Sequence, residues 1–404
     1  MRGGSAPAID IPSRTGVTLH LQRHPGSRCL AHHDWIIAGA GFTGAVLAER
    51  IAAQLGQRVL VVDRRDHIAG NAYDHLGELG IKIHKYGPHI FHTNSEKVWR
   101  YLSAFTSWRP YEHRVLGEID GRLVPIPFNL DSLDALFPAR EAASLTKLLI
   151  DTYGTDRNVP ILKMRESGGA LKDLADFIYA KVFEGYTLKQ WSLRPEELDP
   201  SVSARVPVRI GRDGRYFQDS FQQMPADGYT AMFERILAHP NIEVATSTDF
   251  RTLPQSGAKV IFTGPIDEYF AYEFGALPYR SLRFRFFARP ERQVQPAGTV
   301  NYPNDQAYTR ITEFKHLTGQ EADGTVLVEE YPQAHVPGKN EPYYPIPTPD
   351  NAEKLKPYLA AARALEGKVW FAGRLGDYAY YNMDQACARA LALFEKQIAP
   401  FARG

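Results

Sequence analysis

The stretch WIIAGAGFTG, Trp35 to Gly44, carries an apolar run straight into a G-x-G-x-x-G pattern at Gly39, Gly41 and Gly44. Between a strand and a helix, the first glycine permits a tight turn and the second lets a pyrophosphate approach the backbone. The third lets helix and strand pack closely. The helix that follows turns its N-terminal amides toward the anion. A glycine triplet alone is a weak signal, so its context matters. Leu47, Ile51 and Leu55 follow at helical spacing, and a second apolar run, Val59 to Val62, ends in Asp63. An acidic residue about 20 positions past the glycines accepts hydrogen bonds from an adenosine ribose. The pattern predicts a Rossmann-like dinucleotide site.

A chain of 404 residues, 44% of them hydrophobic, is long enough for two or three domains. Lys plus Arg total 47 against 46 Asp plus Glu, which leaves no basic footprint for nucleic acid or an anionic membrane. An anionic ligand must therefore be met by local arginines. Cys29 and Cys387 make no disulfide framework and suggest no metal site, in keeping with a reducing cytoplasm. No run approaches the roughly 18 apolar residues of a membrane helix.

Residues 1–33 mix Gly, Pro, Ser and four arginines without periodicity and read as a mostly disordered leader, with no apolar core of a signal peptide. After Asp63, IKIHKYG alternates Ile81 and Ile83 against Lys82 and His84, an edge or antiparallel strand. His89 and His92 stand three apart in HIFH, but no third metal ligand is evident, so they read as histidines bonded to a cofactor or the core. From Glu96 to Phe183 the pattern is mainly helical, and Gly185 is expected to stop the last helix. GYTLKQWSLRPEELDPSVSARVPVR then reads as a loop carrying Tyr186, Trp191, Arg205 and Arg209. Aromatics interleaved with arginines suit a ligand with a flat base, a sugar and phosphates. VIFTGP at 260–265 and KVWFAGR at 368–374 return to the nucleotide sheet. SLRFRFFARP, GTVNYP, AYTRITE and TVLVEEYP predict an antiparallel sheet.

In order along the chain, GAGFTGAVLAERIA, HIAGNAYD, IHKYGPHIFHTN, GYTLKQW, ARVPVR, GRYF, TGPIDEYF, YTRITE, EEYP, EPYYP and GRLGDYAYYNMDQ resemble the bacterial UDP-galactopyranose mutases, from Asp34 to the C-terminus. The resemblance implies an α/β flavoenzyme. Its discontinuous Rossmann-like FAD-binding domain would span 34–95, 228–280 and 365–404. An inserted helical subdomain would cover 96–200, with a mobile loop at 186–209, and an antiparallel β-sheet substrate domain 201–227 and 281–364. It implies interconversion of UDP-galactopyranose and UDP-galactofuranose without net redox change. N5 of the reduced flavin attacks the anomeric carbon, UDP leaves, and the ring closes through the other hydroxyl. It further implies an unidentified flavin reductant, a homodimer, a cytoplasmic location and galactofuranose precursor synthesis for a cell-surface polysaccharide.

By the same motifs, Gly39, Gly41, Gly44 and Asp63 would hold the adenosine diphosphate half of FAD, with Asn71 and His89 nearer the flavin. Gly373, Arg374, Asn382 and Met383 would close the other end. Tyr186 would stack on uracil and Trp191 lie near the sugar. Arg205 and Arg310 would grip the diphosphate, helped by Tyr216, Tyr344 and Tyr380, with Tyr343 the alternative to Tyr344 and Asn301 beside the second arginine. His92 stands where the relatives acting on UDP-N-acetylgalactopyranose carry arginine, which points to plain galactose. Ser192, Asn382 and Ala69 depart from the family's QWG, YYDM and GGN, and Ala69 is tolerable where the backbone keeps a negative φ. Rival readings are an FAD-dependent oxidase of the amine-oxidase type, sharing the opening glycines, and a flavin-containing sensor without turnover.

Overall fold

Short apolar runs without alternation suit strands covered on both faces. In the computed structural model, which describes residues 33–254 and 257–403, five such runs build one parallel sheet. Its spatial order is Ile242–Ala245, Val59–Val62, Trp35–Ala38, Lys259–Phe262 and Val369–Phe371. The reading of the first 33 residues as a leader falls, but for His33, outside the described residues, as does Cys29. The helix Phe42–Leu55 and the C-terminal helix Met383–Leu393 pack over this sheet, with Trp35, Leu47, Ile51 and Phe394 fully buried between the layers. Gly39 has φ +109°, and a Cβ on Gly44 would collide with the Gly39 carbonyl. The turn therefore closes only with glycine at both positions.

A second sheet has seven strands in the order Tyr344–Pro345, Tyr279–Arg289, Thr325–Ala334, Arg310–Glu313, Thr299–Asn301, Val115–Ile119 and Arg122–Ile126. Only the Thr299–Asn301 and Val115–Ile119 pair is parallel. The stretch 96–183, expected to be mainly helical, thus supplies strands at Trp108–Pro110, Val115–Ile119, Arg122–Ile126 and Arg157–Val159. Val115–Ile119 and Arg122–Ile126 form a local hairpin, while the other partners, Phe221–Pro225, Val208–Ile210 and Thr299–Asn301, come from far along the chain, where local periodicity does not register them. The helices of this stretch, Leu130–Leu136, Ala139–Tyr153 and Gly169–Ile178 among them, have a core of their own around Phe128, Leu133, Ile161, Met164 and Ile178.

Three local readings change. His84, expected on the polar face of its strand, is buried and accepts the backbone N–H of His89 at 3.0 Å. Gly185 does not stop a helix. The chain runs from Gly169–Ile178 through a π-helical turn, Tyr179–Glu184, into a further helix, Gly185–Trp191. Gly185 is there because a Cβ would strike the carbonyl of Pro303. The stop comes at Ser192, in the left-handed region at φ 57°, whose N–H bonds to the Leu188 carbonyl at 2.8 Å. Ala69 also has a positive φ, 70°, so the condition under which it would be tolerated without strain is not met.

Candidate functional site

Two adjoining cavities mark the site. The first, about 230 Å³, lies over the C-terminal edge of the parallel sheet and is lined by Gly39, Gly41, Asp63, Gly70, Asn71, His89, Gly373, Arg374, Asn382 and Met383, with others. Its floor is backbone: a Cβ on Gly70 would stand 2.9 Å from the Gly41 Cα, so any side chain there would fill the cradle. Gly44 packs beneath the turn. Asp63 accepts the N–H of Ala40 (2.9 Å) and of Arg65 (3.0 Å), which fixes its carboxylate while leaving lone pairs for a ligand hydroxyl. Asn71 accepts from Arg65 Nη1 at 2.9 Å, and Arg65 Nη2 donates to Glu341 at 2.9 Å. A dinucleotide therefore fits the cradle by the shape of its floor and by the acceptor set at its end.

The second cavity, about 620 Å³, is lined by His92, Tyr186, Trp191, Arg205, Arg209, Tyr216, Asn301, Arg310, Tyr344 and Tyr380, among others. His89, Arg374, Asn382 and Met383 line both cavities and form the junction. Here the helix Met383–Leu393 begins, with the Asn382 N–H donating to Gln385 Oε1 at 2.9 Å, so a helix N-terminus lies at the meeting point. Arg374 is held by the Tyr381 carbonyl (Nε at 3.0 Å) and reaches the Tyr343 carbonyl at 3.4 Å. Of the two neighbouring tyrosines, Tyr344 lines the second cavity and Tyr343 the first.

Tyr186 and Trp191 stand on a helix rather than on the expected loop. Trp191 is buried and packs against Tyr380 (5.4 Å between ring centres) and Tyr344 (6.1 Å), and these two meet edge to face at 5.2 Å. Arg310 donates to the Tyr186 hydroxyl, and its Nε lies 3.5 Å from Glu330 Oε1. Burial by itself opposes the Arg310 charge. Glu330 and the surrounding phenols more than offset that, and its pKa stands well above the ordinary value. Arg205 is exposed, donates to Asn382 Oδ1 and the Tyr380 carbonyl, and lies 4.0 Å over the Tyr380 ring. Tyr186, Tyr216 and Tyr344 are raised above the usual phenol range by burial, so all three remain donors at neutral pH.

Four buried polar atoms of this wall make no hydrogen bond: Gln190 Oε1, Asn301 Oδ1, Arg209 Nε and Arg310 Nε, the last only facing Glu330 at ion-pair distance. Unsatisfied groups gathered on one cavity are the mark of a polar ligand or water that belongs there. His92 stacks on Phe217 at 3.6 Å and bonds to Asp219 Oδ2 at 2.8 Å, a pairing no local motif signals. Among the described residues no group of three or more His, Cys, Asp or Glu could hold a metal ion, and His89 instead bonds to the Gly87 carbonyl at 2.8 Å. His113, which the sequence reading passed over, also lines the second cavity, and burial, reinforced by Arg310 and His92, pushes its pKa down to about 3. Glu330 went unassigned although its EEYP motif was noticed. No helix among the described residues is long and apolar enough to cross a membrane.

The chain matches the family model described as UDP-galactopyranose mutase over residues 181–380 and that of an NAD(P)-binding Rossmann-like domain over 37–105. A Klebsiella pneumoniae protein named "Probable UDP-galactopyranose mutase" is 39% identical over 363 residues, covering 88% of this chain and 92% of its own. An Escherichia coli dTDP-fucopyranose mutase is 36% identical over 367 residues, 88% of this chain and 96% of its own. Of solved structures, a reduced UDP-galactopyranose mutase shares the fold with TM-score 0.65 at 16% identity, covering 93% of this chain and 95% of its own. A putrescine oxidase does so with TM-score 0.55 at 12% identity, covering 91% and 99%.

Proposed function

This chain belongs to the UDP-galactopyranose mutase family, a family of isomerases, and we propose that it interconverts UDP-galactopyranose and UDP-galactofuranose with FAD in the first cavity and the UDP-sugar in the second. The observation that carries this reading is the pair Arg205 and Arg310 opening onto one cavity that meets the glycine-floored cradle at His89, Arg374, Asn382 and Met383. An amine oxidase, which acts on a cation, has no use for two arginines there. When bound, reduced FAD would supply the nucleophile, N5, that attacks the anomeric carbon.

The chain's own residues position and neutralise. Tyr186 offers its ring to the uracil, while its hydroxyl is held by Arg310. Negative charge grows on the diphosphate as the anomeric bond breaks, and planar guanidiniums receive it through paired N–H donors. Tyr216, Tyr344 and Tyr380 add hydroxyl donors, and Asn301 an amide whose carbonyl oxygen is otherwise unpaired. Trp191 closes the apolar side near the sugar, and His92, held by Asp219, orients the ring hydroxyls.

An anaerobic incubation with UDP-galactofuranose, with and without dithionite, tests the reading by following UDP-galactopyranose. Conversion only after reduction is expected; none in either state, with FAD bound, overturns it. The dTDP-fucopyranose relative supplies the competing substrate, so the same assay is run with dTDP-fucopyranose. Faster turnover of that substrate would reassign the nucleotide and sugar while keeping the chemistry.

A further inference from the structure

The two walls of the second cavity are not joined by the sheet alone. One wall is the helix Gly185–Trp191, which presents Tyr186, Gln190 and Trp191. The other carries Asn301, Pro303 and Arg310, at the ends of two paired strands whose connecting loop runs through 302–309. From the helix, Lys189 reaches over to this loop. Its Nζ donates to the carbonyls of Tyr302 (2.5 Å), Gln306 (2.8 Å) and Tyr308 (3.4 Å). The Lys189 and Gln190 carbonyls in turn accept from the buried Arg280 at 3.2 and 2.8 Å, and Gly185 lies against the Pro303 carbonyl.

We propose that Lys189 is a positioning residue for the isomerisation: its ammonium, caged by three loop carbonyls, fixes the spacing between Tyr186 and Trp191 on the helix and Asn301 and Arg310 on the strands. The proposal rests on the UDP-sugar reading of the second cavity. Lysine suits the task because an ammonium is a point charge with three rotatable donors, matched to three acceptors that converge from one loop. A planar guanidinium cannot turn its N–H groups onto them in the same way.

The charged groups facing Nζ are few. Asp305 stands on the caged loop, Arg280 approaches only the helix carbonyls, and Tyr302 and Tyr308 face it with their backbones. Partial burial lowers the Lys189 pKa to about 8, with Asp305 opposing. Loss of that proton removes one N–H donor and the charge together, so the cage weakens at mildly alkaline pH.

The test uses the full-length flavin-loaded enzyme. Lys189→Met should keep the wild-type flavin content and near-native melting, yet raise KM for the UDP-sugar and the Kd for UDP, with kcat/KM down about 10²-fold, the scale of a roughly 1 Å misplacement. Lys189→Arg should not rescue it. Asp305→Asn, an exposed change outside the substrate-lining residues, should shift the alkaline limb of kcat/KM to lower pH at unchanged neutral activity. Lys189→Met with wild-type KM overturns the proposal; if that variant does not fold, an unmoved alkaline limb in Asp305→Asn does. Absence of UDP binding by the wild type would instead overturn the reading of the cavity itself.

Discussion

Arg205 Nη1 donates to Asn382 Oδ1 at 3.0 Å, which ties an exposed guanidinium to the residue capping the helix at the junction of the two cavities. The same arginine lies 4.0 Å over the Tyr380 ring. Arg310, its counterpart, is half-buried and held from the other side by Tyr186 and Glu330. One arginine is thus fixed in advance, while the other rests on partners it can leave when an anion arrives.

Replacing either should be costly in turnover. Arg205→Ala and Arg310→Ala are each expected to lose about 10² to 10³ in kcat, the scale of removing one preorganised donor to developing charge. Lysine at either position should recover little, since it lacks the paired planar donors. Steady-state assays with reduced enzyme measure this, and near-full activity in either alanine variant would sink the assignment.

Asn382→Asp puts a carboxylate where the proposed reading brings the diphosphate, and gives Arg205 a competing anionic partner. Aspartate caps a helix as well as asparagine does, so the fold should hold. UDP affinity should weaken about fivefold or more, because an added like charge at close range costs about 1 kcal/mol even in water. Calorimetric titration with UDP decides it.

Gly185→Ala separates two effects. On helix propensity alone it would stabilise by about 1 kcal/mol. Because the new Cβ meets the Pro303 carbonyl, we expect a loss of about 1 to 3 kcal/mol instead. Urea unfolding gives the sign directly.

Ser192→Gly should act in the opposite direction. Ser192 is exposed at φ 57°, where a non-glycine residue costs about 1 to 2 kcal/mol, and the larger backbone freedom of glycine when unfolded returns only part of that. A rise of about 0.5 to 1 kcal/mol is expected, without change in KM. An unaltered melting temperature would show that the surrounding chain already relaxes the strain.

Acid should destabilise the protein well before its carboxylates titrate. Burial holds His89 and His113 neutral, with pKa values of about 3. Unfolded histidine takes up a proton near pH 6.5, so their stabilising effect is complete above that pH and is lost progressively as pH falls from there toward 3. Each contributes a slope of about 1.4 kcal/mol per pH unit. Unfolding free energies at pH 7, 6 and 5 should show this decline, and His113→Phe should make it shallower.

The nucleotide half was legible because its information is local. Three glycines, an apolar strand and Asp63 lie within one short βαβ unit, where spacing alone constrains geometry. The substrate half was legible only as motifs. Tyr186, Arg205 and Arg310 could be named from GYTLKQW, ARVPVR and YTRITE, but not the helix that carries Tyr186 or the bond that joins it to Arg310. The misreadings have a shared cause. Gly185 answers to Pro303, and Val115–Ile119, besides its local hairpin with Arg122–Ile126, to Thr299–Asn301; neither distant contact leaves a mark in the neighbouring sequence. The alternating burial of Val115, Gly117 and Ile119 did offer a strand signal, which the surrounding helical periods obscured.

The π-helical turn at Tyr179–Glu184 acts as a phase shifter. Each residue of an α-helix advances the azimuth by about 100°, so one extra residue in a turn swings everything beyond it by that angle. Upstream, Leu171, Leu174 and Ile178 point into the helical core; downstream, Tyr186, Gln190 and Trp191 point into the cavity. One rod thereby serves two masters. Excising a single residue from the turn would restore an unbroken helix, more regular by every local measure, and would rotate Tyr186 out of the chamber it lines.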